Sequence, residues 1–217
     1  MNCFMNLNEF SKVNNVAKKI VTALMGNVNE TTIQNLIPEI VILKGCGQNH
    51  PAHDLNVYQH TLKVINGLPE SGILRLSALL HDIGKPQCKV IGDDGFEHFW
   101  GHQEISAQMA EEILSRLGFN EDIIILIRYL ILQHDTKIQI TEESNATIVA
   151  ANIGLDFLIF ANERIKELKN YTISDIGLSI LELLFELQVS DLKAHSVNYA
   201  SRKIPQLLAI IGNFKLG

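Results

Sequence analysis

Six side chains in this sequence combine types that grip divalent cations with positions that a helical fold would turn inward: His60, His81 and Asp82, His102, His134, and Asp191. Imidazole nitrogens and carboxylate oxygens together form a borderline-hard donor set. His81 and Asp82 are neighbours, so on a helix they point roughly 100° apart and approach one ion from two sides. Taken singly, an inward histidine is more often a satisfied core residue, and an inward aspartate more often a cap. Six such groups on apolar faces would be expensive to bury without a common counter-charge. A shared cation is the cheaper physical explanation.

Each group needs an element to carry it. The apolar run Ile73 to Leu80 predicts a helix that delivers His81 and Asp82, with Gly84 able to end it and Lys85 just behind. Asp54 reads as the N-cap of a helix to about Asn66. His60 falls about 40° beyond the apolar arc of that helix, beside Val64, where a cleft-lining residue would sit. Gly101 to Leu117 is amphipathic and is stopped by Gly118. His102 occupies its first turn, near the middle of the inward face, where the helix dipole favours a neutral, ligand-competent ring. Asp122 to Gln133 is apolar almost all round, a central buried helix with His134 at its end. In Thr172 to His195 the residues Ser179, Glu182, Glu186, Ser190 and Lys193 predict a solvent stripe, with Asp191 more than about 100° from its centre.

The remaining segments predict support and a rim. Val13 to Met25 and Thr31 to Leu43 read as two helices, with Ser11 and Asn29 as caps and Gly26 and Gly45 near the stops. Gly45 to His53 is a loop. Pro86 to Trp100 is polar and glycine-containing, and Cys88 to Ile91 followed by Gly92-Asp93-Asp94-Gly95 could form a small hairpin. Ser144 to Leu168 predicts a mostly apolar helix or helix pair, and Ile204 to Phe214 a last short helix with Pro205 near its first turn. No alternating strand pattern of any length occurs, so the expected fold is all-α, a helical bundle.

Composition narrows the classes. Hydrophobic residues make up 47% of the 217, and charged residues 19%, which suits a filled core and argues against disorder. A net charge of −6 argues against nucleic acid as a partner without excluding it. Cys3, Cys46 and Cys88 lack metal-type spacing and read as free thiols in a reducing compartment. The first residues hold no basic segment followed by an apolar run, as a signal peptide would. The most apolar window, Ala146 to Ala161, is interrupted by Asn152 and Asp156 and is too short to span a bilayer. The expectation is a cytoplasmic protein with no membrane partner.

The series His60, His81-Asp82, Asp191 resembles the His…His-Asp…Asp signature of the HD superfamily of metal-dependent phosphohydrolases. The stretches His53 to Leu62, Ala78 to Pro86 and Phe99 to Ala107 are similar to the HD domain of bacterial tRNA nucleotidyltransferases and their relatives. The resemblance covers about His50 to Ser196. It implies a single HD-type helical domain over 1–217: an N-terminal helical extension (1–49), the HD core (50–196) and a C-terminal helix (197–217). Too few residues precede His50 for a nucleotidyltransferase domain, and they show no Gly-Ser plus paired-Asp pattern, so nucleotide addition is not implied.

By this resemblance, His60, His81, Asp82 and Asp191 would hold one divalent ion, and His102 and His134 a second, with Asp82 bridging. Mixed imidazole and carboxylate ligands suit Mn, Fe, Co, Ni or Zn, and Mg where waters complete the shell. The expected activity is that of a phosphomonoesterase or phosphodiesterase acting on a nucleotide, cyclic nucleotide or related phosphate ester. Asp82 and Lys85 are the expected catalytic residues. Lys85 would hold phosphate (its bland reading is a solvated lysine past a helix end), and His53 and His98 would line the mouth or else lie at the surface. Two other classes stay open: a non-catalytic nucleotide or RNA sensor, and a di-iron oxygenase on the same ligands. The two N-terminal helices leave room for a homodimer. Residues that would read a base or sugar fall within the rim from Pro86 to Trp100 and near Ala151.

Overall fold

Side-chain caps set most of the helix starts. In the computed structural model, which describes residues 13–139, 145–162 and 164–215, Asn14 accepts the N–H groups of Val16 and Ala17 and opens α1 (Asn15–Leu24). Asn29 accepts from Thr32 and opens α2 (Glu30–Leu36). Ser11, the expected first cap, lies outside the described residues. The helix expected over Thr31 to Leu43 is broken in two: after α2, Ile37 turns to φ −129°, and Pro38–Gly45 winds as a 3₁₀ helix. Proline excludes the residue before it from helical geometry and brings no N–H of its own, which explains the break.

The next helix, α3 (Val57–Gly67), is capped by Asn56 rather than by Asp54. Asn56 accepts the Gln59 N–H while the Gln59 side chain accepts the Asn56 N–H, a reciprocal pair that Asp54 has no partner to make. Ser71 then caps α4 (Gly72–Leu80), and every residue of α4 is buried. That includes Arg75, whose guanidinium donates to the carbonyls of Leu24, Leu68 and Pro69. One buried cation thus satisfies the chain ends of α1 and α3 and fastens the N-terminal helices to the centre.

After a single turn, α5 (Lys85–Cys88), comes the hairpin: β1 (Val90–Ile91) pairs antiparallel with β2 (Glu97–His98), Val90 opposite His98. Helices α6 (His102–Leu117) and α7 (Glu121–Gln133) follow as expected within a residue. The late chain forms α8 (Ala146–Ala161), a 3₁₀ turn (Lys166–Asn170), α9 (Ile173–Ala194) and α10 (Val197–Lys215). Helices α8 and α9 pack almost backbone to backbone. A methyl on Gly177 would stand 1.6 Å from the Ala150 carbonyl oxygen.

Two late expectations need correcting. Pro205 lies inside α10, which starts at Val197. Its entry is fixed where the Ser196 N–H and Oγ donate to the carbonyls of Ala52 and Pro51. In α9, Ser179 and Ser190 are buried rather than solvent-facing. Ser179 donates to the Asp175 carbonyl one turn back, and Ser190 to the Val64 carbonyl of α3. The hydroxyls are satisfied without water, so only Glu182, Glu186 and Lys193 keep the stripe exposed.

The main core runs from α1 through α4 and α7 to α9, and a smaller cluster of Ile138, Ala150, Leu181, Phe185 and Leu207 lies under α10. Cys46 and Cys88 are free thiols. No helix among the described residues is long and apolar enough to cross a membrane.

Candidate metal centre

Three histidines are locked in the same way. His81 Nδ1 is 2.7 Å from the Ala78 carbonyl, His102 Nδ1 2.9 Å from that of Phe99, and His134 Nδ1 2.6 Å from that of Ile131. Each partner lies three residues back. A carbonyl only accepts, so in each ring Nδ1 carries a proton, and the neutral ring presents a lone pair at Nε2. Those lone pairs converge on one carboxylate: Nε2 of His81 lies 3.2 Å from Asp82 Oδ2, and Nε2 of His102 and His134 lie 3.3 and 4.0 Å from Asp82 Oδ1. The Nε2 atoms of His102 and His134 are 3.3 Å apart. Acceptors face acceptors here, which is repulsive unless a cation stands between them.

From the opposite side, α3 and α9 close the site. His60 Nε2 is 2.8 Å from Asp191 Oδ1 and 3.7 Å from Asp82 Oδ2, and His81 Nε2 is 3.6 Å from Asp191 Oδ1. Among the described residues, five of the seven buried side-chain atoms without a hydrogen-bond partner belong to this cluster: His60 Nδ1, His81 Nε2, both Asp82 oxygens and, close by, His53 Nδ1. The nearest charge to Asp82 Oδ2 is Lys85 Nζ, at 2.7 Å. Polar atoms so deeply buried need a partner, and a divalent ion supplies one for several of them at once. Ligand atoms of His60, His81 and Asp82 lie within 4.8 Å of one another, as do those of Asp82, His102 and His134. The donor set fits a metal: Asp82 belongs to both groups and presents one oxygen to each.

The field points the same way. Burial would raise the Asp82 pKa, but His81 and Lys85 outweigh it and hold the carboxyl well below its ordinary range. Burial would likewise raise Asp191, and His195 and His60 hold it down. Burial alone would lower His81, but Asp82 and Asp191 push it up to about 10. Two buried carboxylates therefore stay ionised and attract positive charge to His81 Nε2, where a proton and a metal ion would compete for one lone pair. His134 is lowered, chiefly by burial, which keeps it neutral.

Lys85, buried at 6% exposure, is fixed between Asp82 and Gln48 Oε1, 2.9 Å away. It is therefore not the solvated lysine of the bland reading. Gly84 lets α6 come close, since a Cβ there would meet the Ser106 backbone nitrogen at 2.7 Å. His53 and His98 both line the cleft of about 440 Å³ above Asp82, together with Lys85, Trp100 and Tyr199. His53 lies inside, its ring 5.4 Å from that of His60, whereas His98 lies at the rim, 3.0 Å from Asp94 and stacked on Trp100. A second cleft of about 270 Å³, lined by Lys137, Gln188 and Lys203, shares His134, Asp135 and Asp191 with the first.

Sequence reasoning missed His195, Gln48 and Asp135. His195 joins His60 and Asp191 in a third group of close ligand atoms. It stands one helical turn after Asp191, and that spacing alone could have flagged it. Asp135, whose Oδ2 lies 3.5 Å from His102 Nε2, directly follows His134. Nothing in the loop sequence singles out Gln48.

A family profile described as HD domain matches residues 52–169, more than half of the chain. The chain belongs to the HD domain family. This HD domain chain is 33% identical over 104 residues to a CC-adding tRNA nucleotidyltransferase of Thermus thermophilus, covering 45% of the chain and 24% of the relative. It is 35% identical over 71 residues to an A-adding tRNA nucleotidyltransferase of Deinococcus radiodurans, covering 30% and 16%. The chain thus spans about a quarter or less of the length of these relatives.

Proposed function

We propose that this HD domain is a metal-dependent phosphohydrolase, a phosphomonoesterase or phosphodiesterase acting on a nucleotide, cyclic nucleotide or related phosphate ester. One observation carries the reading: Asp82 lies between two histidine groups and turns one oxygen to each, and Lys85 is buried at its edge, 2.7 Å from Oδ2. His60, His81, Asp82 and Asp191 would hold one ion, and Asp82, His102 and His134 a second. Mn, Fe, Co, Ni, Zn or Mg would acidify an attacking water and neutralise charge on the phosphoryl oxygens. The chain's own contribution is placement. The backbone-locked imidazoles hold the donors without reorganisation, and Lys85 Nζ, already desolvated, is a donor for a phosphoryl oxygen at the cleft floor. His53 and His98 would flank the substrate on its way in.

The test is hydrolysis of generic and 2′,3′-cyclic phosphate esters with added Mn, Ni or Co, alongside elemental analysis. His81→Ala and Asp82→Ala are expected to lose both bound metal and activity. Unchanged activity in either variant would overturn the assignment. The sharing of Asp82 between two groups also suits a di-iron oxygenase, and stoichiometric iron with an absorbance change on exposure to O₂ would favour that second reading.

A further inference from the structure

Trp100 is the sole tryptophan of the chain, and it is 69% exposed at the mouth of the metal cleft. Large aromatic side chains seldom stand so free, because each bears much apolar surface. This one is not loose. Its indole stacks on His98 with ring centroids 4.8 Å apart and 17° between planes. His98 is in turn held by Asp94, whose two carboxylate oxygens each lie 3.0 Å from Nε2, and His50 approaches edge-on at 5.7 Å. The hairpin beneath is fastened to the loop before α3: Glu97 N–H donates to the Asn49 carbonyl, and Glu97 Oε2 accepts the Asn49 N–H at 2.7 Å. One face of the indole is therefore backed and positioned, and the other is open to solvent. The floor of the same cleft carries the buried Lys85 and the metal donors, which suit phosphate. A ligand that reaches from a buried anion site to an open aromatic plane has a phosphate at one end and a flat ring system at the other.

We propose that the outer face of Trp100 is the base platform of the site, and that the substrate class is a nucleotide whose nucleobase stacks there while its phosphate reaches Lys85. This rests on the phosphohydrolase reading of the metal centre and narrows it to base-bearing esters. Stacking accepts any base, because every base has a π face, so purines are favoured by area over pyrimidines without strict selection.

A lone tryptophan makes the experiment direct. AMP, GMP, CMP and UMP are titrated into the metal-loaded protein, with ribose 5-phosphate as the ligand lacking a base, and Trp fluorescence and affinity are both read. The expected result is saturable quenching by the nucleotides, strongest for purines, and none by ribose 5-phosphate. Trp100→Ala should weaken AMP roughly tenfold and leave ribose 5-phosphate unchanged, while Trp100→Phe keeps most of the AMP affinity. Equal binding of AMP and ribose 5-phosphate, or an unaltered ratio between them in Trp100→Ala, would overturn the platform and leave the metal centre intact. A fall in oligomer size in Trp100→Ala with nucleotide affinity unaffected would also overturn it, since the indole would then be a protein contact. Binding of neither ligand, with no metal retained by the wild type, would remove the phosphohydrolase reading itself.

Discussion

The floor and the rim of the cleft are built on opposite plans. At the floor, the donors come from helices or the residues just beyond their ends, and all six expected ligands are buried. Three of the four expected histidine ligands are fixed by a carbonyl of the preceding turn. At the rim, Asp94 and His98 belong to a hairpin with two residues in each strand, and Trp100, two residues beyond it, is mostly in water. The floor gains precision from packing and tolerates little change, as the proposed site for a cation and a developing charge would require. The rim is held by a few hydrogen bonds and stacking, and that kind of surface adapts to different ligands.

If that contrast is sound, substitutions should fall in a definite order. Asp82→Ala takes away the group common to both donor sets. Hydrolysis should drop on the order of a thousandfold, with bound metal lost by elemental analysis. Lys85→Met should cost about a hundredfold in turnover with metal retained, which separates phosphate handling from ion binding. Full activity in Lys85→Met would show that the buried ammonium serves packing alone. Gly84→Ala pushes a methyl into the Ser106 backbone, and thermal unfolding should show a loss of about 1–3 kcal/mol.

A smaller effect is expected from pH. The His53 imidazole is pushed down to about 2 by burial, then by Lys85, His195 and His60, against an ordinary value of 6.5. The unfolded chain therefore takes up a proton that the folded chain refuses, and stability falls as pH drops below 6.5. In chelator, His53→Asn should flatten that fall by up to about 1.4 kcal/mol per pH unit, read by denaturant unfolding at pH 6.5 and 5. The smallest effect belongs to the rim: Asp94→Ala frees His98 and should change nucleotide affinity about twofold with turnover unaltered. A loss there as large as that of Lys85→Met would erase the distinction between floor and rim.

The helices that carry the donors were legible because long apolar periodicities place one face inward, and His60, His102, His134 and Asp191 fall on or beside those faces. What lies outside that periodicity was harder to read. Asp54 and Asn56 are both acceptable caps, and only the return of Gln59 decides between them. Ser179 and Ser190 look solvent-facing by polarity, yet a hydroxyl that finds a carbonyl one turn back or on the next helix is content in a core. His195 was overlooked because it stands at the C-cap of α9, where helical periodicity ends. Gln48 belongs to a loop, and only the fold brings it to Lys85.

The hydrogen bond between His60 and Asp191 joins residues 131 positions apart. An ion shared by these two groups would close a loop through most of the chain, a contact of high sequence separation that local structure alone does not create. The pocket therefore comes into being only when α3 and α9 have met. Occupancy by an ion would report on the packing of distant helices, and a chelator should then loosen the molecule throughout rather than at one edge.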